Sequence, residues 1–114
     1  MSKTIEYKIP VKDKKGVTTY ETRHGIPALL YVGAYQERFA LQFEGEDAEP
    51  TKLVHVATGY SLGKLNDAGI RLLVARGNLT TPRECAKYII AQLVRDHTAA
   101  TVLAKLKAIP VINP

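Results

Sequence analysis

The chain has 114 residues, 46% hydrophobic and 24% charged, with a net charge of +5, values that are typical of one globular domain and that exclude wholesale disorder. No apolar run reaches the roughly 18 residues of a membrane span, the residues after Met1 lack the apolar core of a signal peptide, and the single cysteine, Cys85, excludes an internal disulfide. We therefore expect a cytoplasmic protein with no membrane contact, and the basic balance favours a polyanionic partner, nucleic acid first.

The chain is predicted to begin with a β-hairpin. Residues 4–11 alternate between apolar and polar side chains, which is the period of a half-buried strand. Pro10 has no amide hydrogen to donate, so this strand should lie at a sheet edge or end there. The polar turn over 13–16 then leads into a return strand over 17–23, which is rich in threonine and tyrosine.

Further strands should complete an antiparallel sheet of about four to six strands. Residues 24–27 contain glycine and proline and predict a break. The short apolar run over 28–32 then predicts a buried strand, with a helical turn as the alternative. Residues 38–44 alternate again. Their inward side chains should be Phe39, Leu41 and Phe43, and their outward ones Arg38, Ala40, Gln42 and Glu44. The last predicted strands cover 53–57 and 60–63.

Helical signals follow the strands. A short helix is expected over 68–76, and a longer one begins at Thr81, where Pro82 and Glu84 complete a capping box. The apolar stripe of the longer helix consists of Ala86, Ile89, Ile90, Leu93 and Val94. A break or a kink near residues 96–98 separates it from a last apolar stripe that Pro110 ends. Strands first and helices last predict a single α+β domain over residues 1–114, with the sheet packed against two or three C-terminal helices.

Basic residues provide the first candidate binding surface. The predicted hairpin carries Lys8, Lys12, Lys14 and Lys15, and the solvent face of the helix after Thr81 carries Arg83, Lys87 and Arg95. Lysines on a hairpin can bind a nucleic-acid backbone through counterion release, although lysine on an edge strand also guards against aggregation. Bases could stack on Tyr20, Tyr31, Tyr35 and Tyr60.

An acidic loop provides the second candidate surface, because the charge is striped along the chain: basic, then acidic, then basic. The carboxylates of the loop belong to Glu44, Glu46, Asp47 and Glu49. Their spacing is not that of a calcium-binding loop, and a solvated loop is the simplest interpretation. The same cluster could dock on the arginines of a partner or imitate phosphates.

No catalytic, metal-binding or cofactor motif is present, and we predict no catalytic residues, no metal and no cofactor. The glycines near Tyr60 lack a phosphate-binding pattern, and the three histidines lack zinc-ligand spacing. His55 lies in an apolar strand, which is typical of a hydrogen-bonded structural histidine. Cys85 falls in the first turn of a helix, where a thiolate can be reactive, but a free cysteine there is also typical of an apolar core residue.

The segment over residues 52–63, a strand, a His-x-x-Thr-Gly turn and a second short strand, resembles stretches in small accessory proteins of bacteriophages and other mobile elements. The resemblance implies a modulator or inhibitor of host machinery, including an anti-defence role, and the basic charge of the chain points to nucleic-acid-associated machinery. Because the chain has striped charge on a compact scaffold and no catalytic constellation, our first interpretation is a non-enzymatic binding protein that contacts another macromolecule, most simply a nucleic-acid-associated protein. The alternatives are direct nucleic-acid binding through the hairpin and the basic C-terminal helices, and a small enzyme with Cys85 as nucleophile. The oligomeric state is left open.

Overall fold

In the computed structural model, residues 3–46 and 49–114 are described, and they form a five-stranded antiparallel sheet followed by three helices. The strands are β1 (Ile5–Lys12), β2 (Thr18–Val32), β3 (Tyr35–Gln42), β4 (Lys52–His55) and β5 (Tyr60–Lys64). The helices are α1 (Ala68–Ala75), α2 (Pro82–His97) and α3 (Ala99–Ala108). Each strand pairs with the next in the chain, so β1 lies at a sheet edge. The predicted α+β class and the edge position of the first strand are confirmed.

β2 is one continuous strand of 15 residues, so the break predicted over 24–27 is wrong. Gly25 lies at its centre and pairs with both β1 and β3. A Cβ atom on Gly25 would lie 2.6 Å from the carbonyl oxygen of Leu41, so the glycine allows a close approach of β3 instead of ending the strand. Pro27 is accommodated because it lies beyond the last β2 residue that pairs with β1, on a strand edge.

The helices cover one face of the sheet and enclose the main core. Ile89 and Ile90 of α2 are buried in the same core as Phe39 and Leu41 of β3, as the apolar stripe predicts. Leu93 also contacts this core but remains partly buried. The basic side chains on the opposite side of α2 are consequently left at the surface.

The other face of β3 carries a second core, which the sequence did not predict. Ala40 and Gln42, expected to face solvent, are buried because the sheet curls and brings the apolar side of β1 over them. The buried residues of this second core are Tyr7, Ala40, Val54 and Val56. Phe43, expected in the main core, follows the end of β3 and stacks on His24, with ring centroids 5.4 Å apart.

The C-terminal tail fastens β1 to the turn between β4 and β5. The Asn113 side chain accepts a hydrogen bond from the Lys8 N–H at 2.8 Å. It donates to the carbonyl oxygens of Lys8 at 2.8 Å and Val56 at 2.7 Å. The Ile112 N–H donates to the carbonyl oxygen of Ala57 at 2.8 Å. The tail thus connects two parts of the sheet that do not pair directly.

Local signals set the helix ends as predicted. The Thr81 hydroxyl accepts from the Glu84 N–H at 3.1 Å, and the Glu84 carboxylate accepts from the Thr81 N–H at 3.3 Å, which is a complete capping box. Thr98 ends α2 and caps α3, which confirms the break near residues 96–98. Within the described ranges, the helices are too short or too polar to cross a membrane.

Candidate functional site

The hairpin of β1 and β2 presents lysines at its tip. Asp13 directs one carboxylate oxygen back into the turn, where it accepts from the N–H groups of Lys15 and Val17 at 2.8 and 2.9 Å. This carboxylate stabilises the turn and does not pair with a lysine side chain. Lys12, Lys14 and Lys15 are all exposed. The tip is therefore a positively charged projection.

The register of the hairpin places an aromatic ring among these lysines. Tyr20 lies opposite Pro10, on the face that carries Lys8 and Lys12, and is diagonal to both lysines. Its side chain is 55% exposed. We define the outer hairpin face as Lys8, Lys12 and Tyr20, together with the tip residues Lys14 and Lys15. It combines cations that can contact phosphates with a ring on which a base can stack.

The basic residues of α2 lie elsewhere. All three predicted residues are exposed, as expected. Arg83 donates to the carbonyl oxygen of Leu29 at 3.1 Å, near the far end of β2 from the hairpin tip. Arg95 lies 3.5 Å from the carboxylate of Asp96. The seven predicted basic residues thus form separate surfaces instead of one site.

The acidic loop is partly engaged within the chain. The Glu44 carboxylate lies 3.0 Å from the Lys52 ammonium group, and the hydrogen bond from Lys52 lowers the pKa of Glu44. Glu46 and Glu49 are exposed, whereas Asp47 lies outside the described residues. The prediction of a docking role for Glu44 is weakened because this carboxylate already has a cationic partner.

His55 belongs to a buried polar cluster. Its Nδ1 atom lies 2.9 Å from the Thr58 hydroxyl and its Nε2 atom 3.3 Å from the Glu37 carboxylate. The order of carboxylate, imidazole and hydroxyl is that of a catalytic triad, but the Thr58 side chain is only 2% exposed. The same hydroxyl accepts from the Tyr60 N–H at 3.2 Å. These contacts support the structural role predicted for His55, at the turn between β4 and β5.

Cys85 is packed in the main core, next to the start of α2. Burial raises the pKa of its thiol, and the neighbouring Glu84 carboxylate raises it further. Both effects oppose thiolate formation, so they favour the core interpretation over a nucleophile. Within 3–46 and 49–114, no cluster of three or more histidine, cysteine or acidic side chains has the arrangement of a metal site.

Comparison of the chain with protein-family models, with curated proteins and with solved structures gave no match. The assignment of function therefore depends on the surfaces themselves. Sequence reasoning found the hairpin lysines but placed no aromatic ring among them. The missing signal was the strand register, since Tyr20 joins Lys8 and Lys12 only once residues 13–16 close the turn.

Proposed function

We propose that this chain is a non-enzymatic binding protein that contacts single-stranded nucleic acid through the outer hairpin face. The observation that carries the proposal is the exposed ring of Tyr20, placed diagonally to Lys8 and Lys12. A base can stack on this ring without regard to sequence, while the lysines neutralise the flanking phosphates. An unpaired strand is favoured over a duplex because its bases are free to stack.

The charge of the turn supports this proposal. Lys8 and Lys12 are four residues apart on one strand, which is about 13 Å at the usual rise. The tip continues this positive line through Lys14 and Lys15, while Asp13 is held in the turn by two backbone N–H groups. Binding to such a line releases counterions, so affinity should fall steeply with salt.

Fluorescence anisotropy with a labelled thymine oligonucleotide tests the stacking part of the proposal. Tyr20→Ala should weaken binding about tenfold, since stacking contributes roughly 1–3 kcal/mol per base. The matched control is Tyr35→Ala, which removes another exposed ring (67%) that lies at the start of β3, opposite the last residue of β2 and away from the hairpin. Equal losses in the two variants, or no binding by the unmodified protein at micromolar concentration and low salt, would refute the proposal.

The salt dependence tests the electrostatic part. Replacing Lys12, Lys14 and Lys15 by alanine should reduce the slope of log affinity against log salt by about 0.7 for each lysine in contact. A control with the same change in net charge replaces three exposed lysines outside the hairpin, Lys64, Lys105 and Lys107. If the control flattens the slope equally, the attraction depends on overall charge and not on the hairpin.

A further inference from the structure

The second half of β2 has an edge without a neighbouring strand. Gly25 is the last β2 residue that pairs with β1, through Ile5, and the strand continues for seven residues to Val32. Along this continuation β3 pairs with one edge. Among the described residues, no strand pairs with the other edge, which we call the free β2 edge (residues 26–32).

Leu29 and Tyr31 direct their backbone groups toward this free edge. Leu29 lies opposite Arg38 of β3. The Arg38 carbonyl oxygen accepts a hydrogen bond from the Val56 N–H, so the backbone groups of Arg38 face β4 and not β2. In an antiparallel pair the opposite residue then also points outward, so the backbone groups of Leu29 point away from β3. Arg83 confirms this direction, because its guanidinium donates to the Leu29 carbonyl oxygen from outside the sheet. Since backbone direction alternates along a strand, the N–H groups of Leu29 and Tyr31 both face outward.

The surroundings of the free β2 edge differ on its two sides. On the side of α2, a groove of about 340 Å³ separates the strand from the helix and contains two cationic side chains, Arg83 and Lys87, and no carboxylate among its described lining residues. On the other side, the side chains of Leu29 and Tyr31 are 51% and 62% exposed. The α2 side of the edge is therefore cationic, while the other side presents the exposed apolar side chains of Leu29 and Tyr31, with Arg38 of β3 beside Leu29.

We infer that the free β2 edge binds an extended acidic segment of a protein partner by strand addition. The backbone of the segment would pair with the outward groups of Leu29 and Tyr31. Because side chains alternate across a strand, acidic side chains would face Arg83 and Lys87 while apolar ones cover Leu29 and Tyr31. The segment should therefore alternate acidic and apolar residues. This inference is independent of nucleic-acid binding at the hairpin.

Charge argues against a second copy of the chain as the occupant. Antiparallel pairing of two free β2 edges about a two-fold axis would bring Arg83 and Lys87 of both copies together, and like charges in close contact are unfavourable. An acidic segment would instead bring opposite charges into contact, which is favourable. Arg83 is exposed, so its guanidinium can leave the Leu29 carbonyl oxygen when a strand N–H replaces it, and can then pair with a carboxylate of the segment.

Amide hydrogen exchange measured by NMR, with an alternating valine–glutamate heptapeptide as probe, tests the inference directly. In the free protein, the amides of Leu29 and Tyr31 should exchange quickly, while those of Ala28 and Leu30, which face β3, should be protected. Saturating peptide should protect Leu29 and Tyr31 at least tenfold. The amides of Ala28 and Leu30 report in the same spectrum that the sheet stays folded.

Matched probes and variants define the outcomes that would overturn the inference. A valine–lysine heptapeptide should bind at least tenfold more weakly, and Lys87→Glu should weaken binding of the acidic peptide while Arg71→Glu, the same charge change on α1, should not. Absence of binding at millimolar peptide, equal affinity for both peptides, or binding without protection of Leu29 and Tyr31 would refute it. Protection of these two amides in the free protein that disappears on dilution would instead identify a second copy as the occupant.

Discussion

The Asn113 side chain takes the place of a neighbouring strand at the outer edge of β1. It pairs with both backbone groups of Lys8, as a strand residue would, and also binds the Val56 carbonyl oxygen. Asn113→Ala removes all three hydrogen bonds and leaves a partly buried carbonyl without its partner. We expect the free energy of unfolding to fall by about 1–3 kcal/mol, measured by urea denaturation.

The matched control for this prediction is Asn78→Ala. Asn78 is exposed and its N–H donates to Leu73 through the backbone, which alanine preserves. This variant should change the free energy of unfolding by less than about 0.5 kcal/mol, the usual range for surface substitutions. If both variants have the same stability, the tail contributes nothing to closure of the sheet.

Tyr7 makes the stability of the fold depend on pH in the alkaline range. Its hydroxyl donates to Gln42 Oε1 at 2.9 Å in the second core, and burial raises its pKa above the ordinary tyrosine value. The neutral phenol is therefore favoured in the folded state. Its contribution to stability is complete below about pH 10, the value expected for an unfolded tyrosine, and decreases as the pH rises above it.

Tyr7→Phe separates this titration from the rest of the protein. At neutral pH the variant should be less stable by about 1–3 kcal/mol, because the buried oxygen of Gln42 loses its donor. Above about pH 10, unfolding curves should show a smaller further loss in the variant than in the unmodified protein. Parallel losses in the two proteins would mean that the Tyr7 hydroxyl ionises without cost.

The continuity of β2 depends on Gly25. A Cβ atom there would lie 2.6 Å from the Leu41 carbonyl oxygen and 3.1 Å from the Gln42 Cα atom, and both are backbone atoms that move only with β3. Gly25→Ala should therefore destabilise the fold by about 1–3 kcal/mol, the usual cost of overpacking. Thermal or urea unfolding measures the loss.

Gly63→Ala is the comparison for this prediction, because Gly63 also lies in a strand but a Cβ atom there would meet a side-chain methyl of Ile89 at 3.4 Å. That distance is close to an ordinary contact and the neighbour is a movable side chain. We expect Gly63→Ala to cost less than Gly25→Ala. The reverse order would show that β2 and β3 can separate locally at Gly25.

Elements that depend on neighbours in sequence could be predicted, whereas elements that depend on distant contacts could not. The start of α2 follows from Thr81 and Glu84, three residues apart, and the alternation of β1 follows from its own side chains. The second core could not be predicted, because it requires the sheet to curl and bring Tyr7 over Ala40. The hydrogen bonds between Lys8 and Asn113 join residues 105 positions apart.

The same distinction holds for the candidate surfaces. The hairpin lysines could be located from the sequence because the turn between the strands has a local signal. The free β2 edge could not, because Gly25 and Pro27 predict a break wherever the pairing of a strand is unknown. A glycine and a proline within an otherwise apolar run are equally compatible with a strand that changes neighbours, and here they mark where the pairing with β1 ends.

At the scale of the molecule, β2 connects the two proposed surfaces. The hairpin tip adjoins Thr18, and the groove adjoins Leu29, eleven residues later, or about 36 Å along an extended strand. A chain that binds nucleic acid at one end of β2 and an acidic protein segment at the other would bring the two together. This arrangement agrees with the expected modulator of nucleic-acid-associated machinery, which remains a proposal.

The two surfaces should bind their ligands at the same time. Both ligands are anionic, so each lowers the positive charge that attracts the other. Lys8, the residue of the outer hairpin face nearest to the groove, pairs with Thr22, seven residues before Leu29. This distance, about 23 Å along an extended strand, still exceeds the Debye length of roughly 8 Å at physiological salt. We therefore expect saturating oligonucleotide to change the affinity for the valine–glutamate peptide by less than about twofold, a coupling of under roughly 0.5 kcal/mol. Anisotropy of a labelled peptide, titrated with and without unlabelled oligonucleotide, measures this coupling.

Tyr20→Ala should reduce only oligonucleotide binding and Lys87→Glu only peptide binding. Mutual exclusion of the two ligands, together with loss of oligonucleotide binding in Lys87→Glu, would show that nucleic acid occupies the groove and that β2 does not separate two sites.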